Sequence, residues 1–310
     1  MNRKIEKYYL TEDELEVFET SFQYGNLKNA NYVFVGMEEG LGRFGYQENL
    51  EGRLNFLTKH NHYVHYIDAE QDYRNGWYVT DIEDSPALLT AINSSLENRG
   101  IPISWEVDRK IYPTMRMQIR LAKLLETNMD FSTLDLFQSN TDYSSYPLHT
   151  KDGATAMFDW YPLPKRSKND FPYIVSGKFD DLKSYYHYYD TQDTTRINII
   201  KNMYDTLPLN ISFVYVGIQR GKFKLQKHFE DVLGFQFAPY NTGLVPASFS
   251  TRMDPSQKPK PFSIGQRIRD DGHRQLAVMT PFWGMGQFGF DDINAMAAWV
   301  YEKQSQFNLA

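Results

Sequence analysis

The chain contains no cysteine. That absence excludes structural disulfides, thiolate zinc or iron–sulfur sites, and a cysteine nucleophile. No uninterrupted apolar run approaches the ~18 residues of a membrane-spanning helix, so no membrane partner is expected. The opening stretch, MNRKIEKYYLTEDELEVFET, has no apolar signal core, and Thr11 with Glu14 has the spacing of a helix capping box. A cytoplasmic protein is the expectation. Three chemistry-bearing motifs are also missing. There is no GxxxxGKS/T loop for a nucleoside triphosphate, no GxGxxG dinucleotide fingerprint, and no GxSxG elbow to carry a serine nucleophile. No cofactor is expected.

Positive charge is scarce overall. The 310 residues carry a net charge of −6, which argues against a surface coated in basic residues for indiscriminate nucleic-acid binding. The basic residues are unevenly placed, however. IQRGKFKLQK (218–227) holds Arg220, Lys222, Lys224 and Lys227 with no acid. Residues 249–275 hold Arg252, Lys258, Lys260, Arg267, Arg269 and Arg274 against three aspartates. Such local basic faces suit either a phosphate-bearing partner or ordinary solvated surface.

Aromatic side chains are abundant: 22 Tyr, 21 Phe and 5 Trp make up 15% of the chain. They serve either as core filling or as platforms for bases and sugars. Hydrophobic content of 41% and charge of 23% are ordinary for a soluble globular protein.

Four short apolar stretches read as buried strands: NYVFVG (31–36), ATAMFDW (154–160), ISFVYVG (211–217) and LAVMT (276–280). Helical spacing appears at 115–127, 196–207, 222–234 and 291–304, the last with Asp291 or Asp292 as a natural N-cap. Strands alternating with helices predict an α/β fold, a three-layer α/β/α sandwich around a mostly parallel sheet. The whole of 1–310 reads as one domain, with an irregular insertion at about 58–110. The Pro/Lys-rich stretch 250–267 reads as a loop. Ligand sites in such sheets lie beyond the carboxyl ends of the strands. That rule gathers residues 36–45, 159–166, 217–222 and 280–289 along one edge.

Two acids stand on this edge, Glu38 and Glu39, among four glycines in NYVFVGMEEGLGRFG (31–45). Paired carboxylates suit hydrolysis through a cationic, oxocarbenium-like sugar transition state. Equally, they suit the N-terminal dipole of a following helix. KHNHYVHY places His60, His62 and His65 together, but with no i, i+4 pair and no interleaved carboxylate, so a metal site is not expected.

Three stretches carry a family resemblance. FVGMEEG resembles the first motif of the uracil-DNA glycosylase superfamily, in which a strand ends in Gly, a variable residue, a water-handling Asp or Asn, and Pro. FDWYPLPKRSKNDFPY (158–173) resembles its second strand exit, a Pro-containing loop beside the base pocket. AVMTPFWGMGQFGFDDINAMAAWV (277–300) resembles its last motif, a strand ending in His-Pro-Ser before a helix.

The resemblance implies a uracil-DNA glycosylase-like fold and a hydrolase cleaving the N-glycosidic bond of a base flipped out of DNA, in base excision, DNA repair or phage defence. Glu38 takes the water-handling place, Glu39 stands where the family has proline, and Thr280 replaces the leaving-group histidine, with Pro281 matching and Phe282 replacing serine. Asp159 falls near the base-reading asparagine. An Asp there accepts hydrogen bonds and suits an amino-bearing base such as a modified cytosine. Gly36 and Met37 line the base site, and Phe44 or Tyr46 stacks on the base. Phe282 or Trp283 wedges the gap the base leaves, and Arg166, Arg220 and Lys222 grip DNA phosphates. A non-catalytic member of the same fold that binds nucleic acid or protein is the alternative. A third reading is a carbohydrate-active hydrolase using two acids and many aromatic rings.

Overall fold

A computed structural model describes residues 7–21, 24–38, 46–47, 50–51, 54, 113–136, 146, 148–149, 153–165, 170–219, 222–238, 260–284 and 287–307. Within them the chain is mixed α/β, built on a mostly parallel six-stranded sheet. The strands outside and inside this sheet run β1 (Tyr8–Tyr9), β2 (Tyr32–Gly36), β3 (Thr155–Asp159), β4 (Tyr173–Ile174), β5 (Ile211–Tyr215), β6 (Ile218–Gln219), β7 (Lys222–Phe223), β8 (Gln236–Ala238), β9 (Ser263–Ile268) and β10 (Arg274–Thr280). The helices are α1 (Glu12–Thr20), α2 (Pro113–Glu126), α3 (Leu182–Thr191), α4 (Thr195–Thr206), α5 (Gln226–Asp231) and α6 (Phe290–Phe307).

All four predicted strands are present and lie side by side. The sheet order is β3-β2-β5-β10-β9-β8, with the first four strands parallel and the last two pairings antiparallel. Every residue of β2 and of β5 is buried. Both faces of these strands are therefore covered, which is why they read as continuous apolar runs rather than as alternation. Helix α2 packs along α6, joined by Arg120 Nε donating to Asn294 Oδ1 at 2.6 Å, and α1 packs on α4.

Local sequence explains most helix ends. Thr11 caps α1 in a full capping box with Glu14, as its spacing predicts. Asp181 does the same for α3 with Ser184. Helix α2 starts two residues earlier than its periodicity suggests because Pro113 supplies a first-turn residue that needs no N–H partner.

Three expectations need correction. The last helix begins at Phe290, so neither Asp291 nor Asp292 is its cap. Instead Asp292 Oδ2 reaches back to accept from the Gly289 N–H at 2.7 Å. The pattern at 222–234 yields only the six-residue α5, because Lys222–Phe223 first pairs back antiparallel onto Ile218–Gln219. The Pro/Lys-rich stretch ends in a strand, β9, which forms an antiparallel hairpin with β10. The insertion expected at 58–110 and its three histidines lie outside the described residues, Leu54 being the last one described before it.

Candidate functional site

Register places one row of residues across the carboxyl ends of the parallel strands. Gly36 pairs with Asp159, Val35 with Val214, and Thr280 with Tyr215. Among the four parallel strands, taken in chain order, the spatial order is second, first, third, fourth. Connections therefore leave β2 and β5 in opposite directions, and the crevice between their carboxyl ends is the topological switch point where doubly wound sheets bind ligands. Gly36, Met37 and Glu38 leave one side of that crevice, and Tyr215 with Val216 the other.

Gly36 is there for close approach. A Cβ built on it would lie 1.9 Å from Asp159 Oδ1 and 3.3 Å from the Tyr215 hydroxyl. The Asp159 carboxylate therefore leans over the bare glycine backbone beside the Tyr215 hydroxyl. Past the strand ends the backbone stays paired, with Trp160 N–H donating to Gly36 O at 3.0 Å and Tyr161 N–H to Met37 O at 2.9 Å. These two bonds fix where Glu38 emerges. Arg196 of α4, fully buried, holds the other side by donating to the carbonyls of Asp159 and of Ser21, the latter at 2.9 Å. Burial pulls its guanidinium down to about 10, with the Asp159 carboxylate opposing that shift.

Glu38 is not a solvated loop acid. Its side chain is 9% exposed and its Oε1 lies 2.8 Å from Lys165 Nζ, whose own side chain is 4% exposed. The Tyr186 hydroxyl of α3 donates to the same oxygen at 2.5 Å, and Lys165 also contacts that hydroxyl. Both partners engage Oε1, so Oε2 takes no hydrogen bond among the described residues. Lys165 Nζ also sits over the Tyr186 ring, 4.8 Å from its centroid. Burial, reinforced by the Glu38 charge, holds the Tyr186 phenol well above its ordinary range, so it stays a donor.

A second polar cluster adjoins the first. The Tyr161 hydroxyl donates to Asp190 Oδ1 at 2.8 Å, and His228 Nε2 lies 3.1 Å from each of them. Trp160 stacks on the His228 ring at 5.4 Å. Burial and then the Asp190 charge raise the Tyr161 phenol. The Tyr161 and Tyr186 rings meet at 4.9 Å, so the two clusters share one wall.

The β10 side is different in kind. Thr280 is fully buried, and its hydroxyl accepts from the Trp283 indole N–H at 2.7 Å while donating to the Pro281 carbonyl at 3.1 Å. Trp283 is itself fully buried against Phe34, Tyr215 and Phe288. In this structure Trp283 is a core residue. Its partner Phe282 is half-buried beside Tyr215. Tyr46 is likewise packed into the core on Tyr8 and Tyr173, its hydroxyl donating to the Asp170 carbonyl at 3.1 Å.

Of the residues singled out in the sequence, Gly36, Met37, Glu38, Asp159 and Thr280 stand on one sheet edge. Lys222 is exposed on the ribbon that follows β5. Glu39, Phe44, Arg166 and Arg220 lie outside the described residues. Arg267, Arg269 and Arg274 do not join the edge. Arg274 and Ile268 pair at the amino end of β10, and Arg267 and Arg269 are bound to Asp205 and Asp271. Those arginines lie at the end of the sheet opposite the site because β9 runs antiparallel to β10. Lys165, Tyr186, Asp190 and His228 were missed by sequence reasoning. Only the tyrosine run of LKSYYHYYD hinted at them, since Tyr185 and Tyr189 share one buried stripe and leave Tyr186 turned away from it.

No family model, curated protein or solved structure matches the chain. Function rests on the geometry. Among the described residues no group of three or more His, Cys, Asp or Glu side chains is placed to hold a metal ion, and no helix is long and apolar enough to cross a membrane.

Proposed function

We propose that the chain is a hydrolase of the N-glycosidic bond that removes a modified base, such as a modified cytosine, from DNA, on a three-layer α/β/α fold of the uracil-DNA glycosylase type. The observation that carries this reading is the Glu38 carboxylate. It is clamped through Oε1 at the switch point, with Oε2 without a partner among the described residues, on the sheet edge that also carries Asp159. The two helix pairs and the fully covered central strands support the fold.

The chemistry needs a fixed anion beside the anomeric carbon. As the C1′–N bond breaks, positive charge develops on the sugar, and an ionised carboxylate in a low-dielectric site stabilises it. Lys165 and Tyr186 hold the Glu38 carboxylate in place. Oε2 orients the water that attacks C1′, and the base departs with the bonding electron pair. Asp159 accepts hydrogen bonds from an amino-bearing base edge. Lys222 engages a flanking phosphate, with Arg166 and Arg220 in the same role, offsetting the few kcal/mol that flipping costs.

The test is abasic-site formation across DNAs carrying uracil, hypoxanthine, hydroxymethylcytosine and its glucosylated form. Glu38→Gln lowers turnover on the responsive substrate by roughly 100-fold or more, the scale of a positioned acid–base group, while DNA affinity stays within about twofold. Undiminished turnover in that variant sinks the assignment. A second reading, a nucleic-acid-binding protein without catalysis, is favoured by the engagement of Thr280 and Trp283 in the core. It predicts salt-sensitive DNA binding and no abasic sites with any base in the panel.

A further inference from the structure

The base-excision reading leaves Lys165 with no chemistry beyond holding Glu38. A buried ion pair is an expensive way to fix a loop, because desolvating both charges offsets most of their attraction. The geometry points to a second use. We infer that Lys165 is an amine nucleophile that condenses with the aldehyde of an abasic deoxyribose, giving the protein a lyase activity. This rests on the base-excision reading for the source of the aldehyde.

Three observations carry it. The Lys165 amine lies among Glu38, the Tyr186 ring and the Tyr186 hydroxyl, with its side chain 4% exposed. Lysine amines are the protein nucleophiles that form Schiff bases with carbonyl groups. The proton the amine must lose has an acceptor at 2.8 Å, Glu38 Oε1. Tyr186, whose hydroxyl contacts the amine, is only half-buried, and Lys165 follows β3, at whose exit the base-excision reading places the sugar.

The steps balance. After the base has left, the sugar ring opens to the C1′ aldehyde. Lys165 passes one proton to Glu38, and its nitrogen lone pair attacks C1′ to form a carbinolamine. Glu38 returns the proton to the carbinolamine oxygen, which leaves as water, and an iminium joins Lys165 to C1′. Glu38, again a carboxylate, takes the C2′ proton. The C3′–O bond then breaks, the downstream strand leaves with a 5′-phosphate, and Glu38 gives the C2′ proton up to solvent. Water finally hydrolyses the iminium and frees Lys165.

The experiment supplies the aldehyde directly. A duplex oligonucleotide with a preformed abasic site is incubated with the full chain and sodium borohydride, which reduces an imine to a stable amine, and the adduct is located by peptide mass spectrometry. The expected result is one covalent adduct at Lys165. It is lost in Lys165→Met and retained in Lys201→Met, which alters an exposed residue on α4. Mapping on the unaltered chain needs no variant to fold. An adduct at any other lysine, or no adduct, overturns the inference. The base panel separates the two claims: abasic sites formed without an adduct refute the lyase alone, whereas an adduct without base removal supports the amine chemistry and refutes base excision.

Discussion

The two halves of one sheet edge are built on opposite principles. At the exits of β2 and β3, ionised and hydroxyl groups from three separate segments converge on Glu38 and Asp190. At the exits of β5 and β10 the polar atoms are turned inward. The Thr280 hydroxyl binds the Trp283 indole, and Tyr215 receives a bond from the buried Gln118 amide at 3.4 Å. One half holds charge ready at a fixed place, and the other gives it a rigid apolar wall. Electrostatic stabilisation of a reacting group needs both, since a charge is worth most where water and motion are excluded. On the proposed reading, the chemistry belongs to the β2–β3 side of the switch point.

Breaking the halves in turn should expose the difference. Trp283→Ala removes a fully buried indole and is expected to cost about 3–5 kcal/mol in urea unfolding. Lys165→Met, on the charged side, leaves Glu38 buried without its partner and costs a comparable ~3–5 kcal/mol. The two sites then part company. Adding Glu38→Gln to Lys165→Met restores most of the lost stability, because the uncompensated charge is gone. No polar exchange rescues Trp283→Ala. A double-mutant cycle showing the same deficit in both charged-site variants would refute the view of that cluster as a charge pair.

A buried histidine, linked to Tyr215 through Gln118, allows a test by pH. His149 is fully buried, its Nε2 3.1 Å from Gln118 Oε1 and its Nδ1 without a partner among the described residues. Burial drives it down to about 3, opposed by a hydrogen bond at the Thr155 backbone. Unfolded, it titrates near the ordinary value of about 6.5. Between these values the unfolded chain binds the extra proton, so stability is full above about 6.5 and falls as pH drops towards 3. The limiting slope is about 1.4 kcal/mol per pH unit. His149→Gln should flatten this acid limb in urea titrations at pH 4 to 7, and an unchanged slope would remove His149 as its source.

The smallest expected effect is within the apolar half. Thr280→Val leaves the Trp283 indole N–H buried without an acceptor and should cost about 1–3 kcal/mol. A full loss of base removal in that variant, with the fold intact, would place chemistry on the half assigned here to packing.

What could be read from the residues divides along similar lines. The central strands were legible because burial on both faces leaves a continuous apolar signature, and α1 because a capping box is a local code. The edge itself was legible through the rule for carboxyl ends of parallel strands, which brought Gly36, Glu38, Asp159 and Thr280 together. The partners of Glu38 were not legible. Tyr186 lies 148 residues away in sequence, and no periodicity encodes a contact of that span. Nor does an aromatic residue announce whether it stacks on a ligand or fills a core. Trp283 and Tyr46 fill the core because strand exits in a fully covered sheet remain inside it.

Gly36 and Asp159 have a consequence of their own. Because the Asp159 carboxylate occupies the space in which a side chain at 36 would begin, the two positions divide one fixed volume between them. Any side chain at 36 requires a shorter or redirected one at 159, so a change at 36 has to wait on a change at a position far away in sequence.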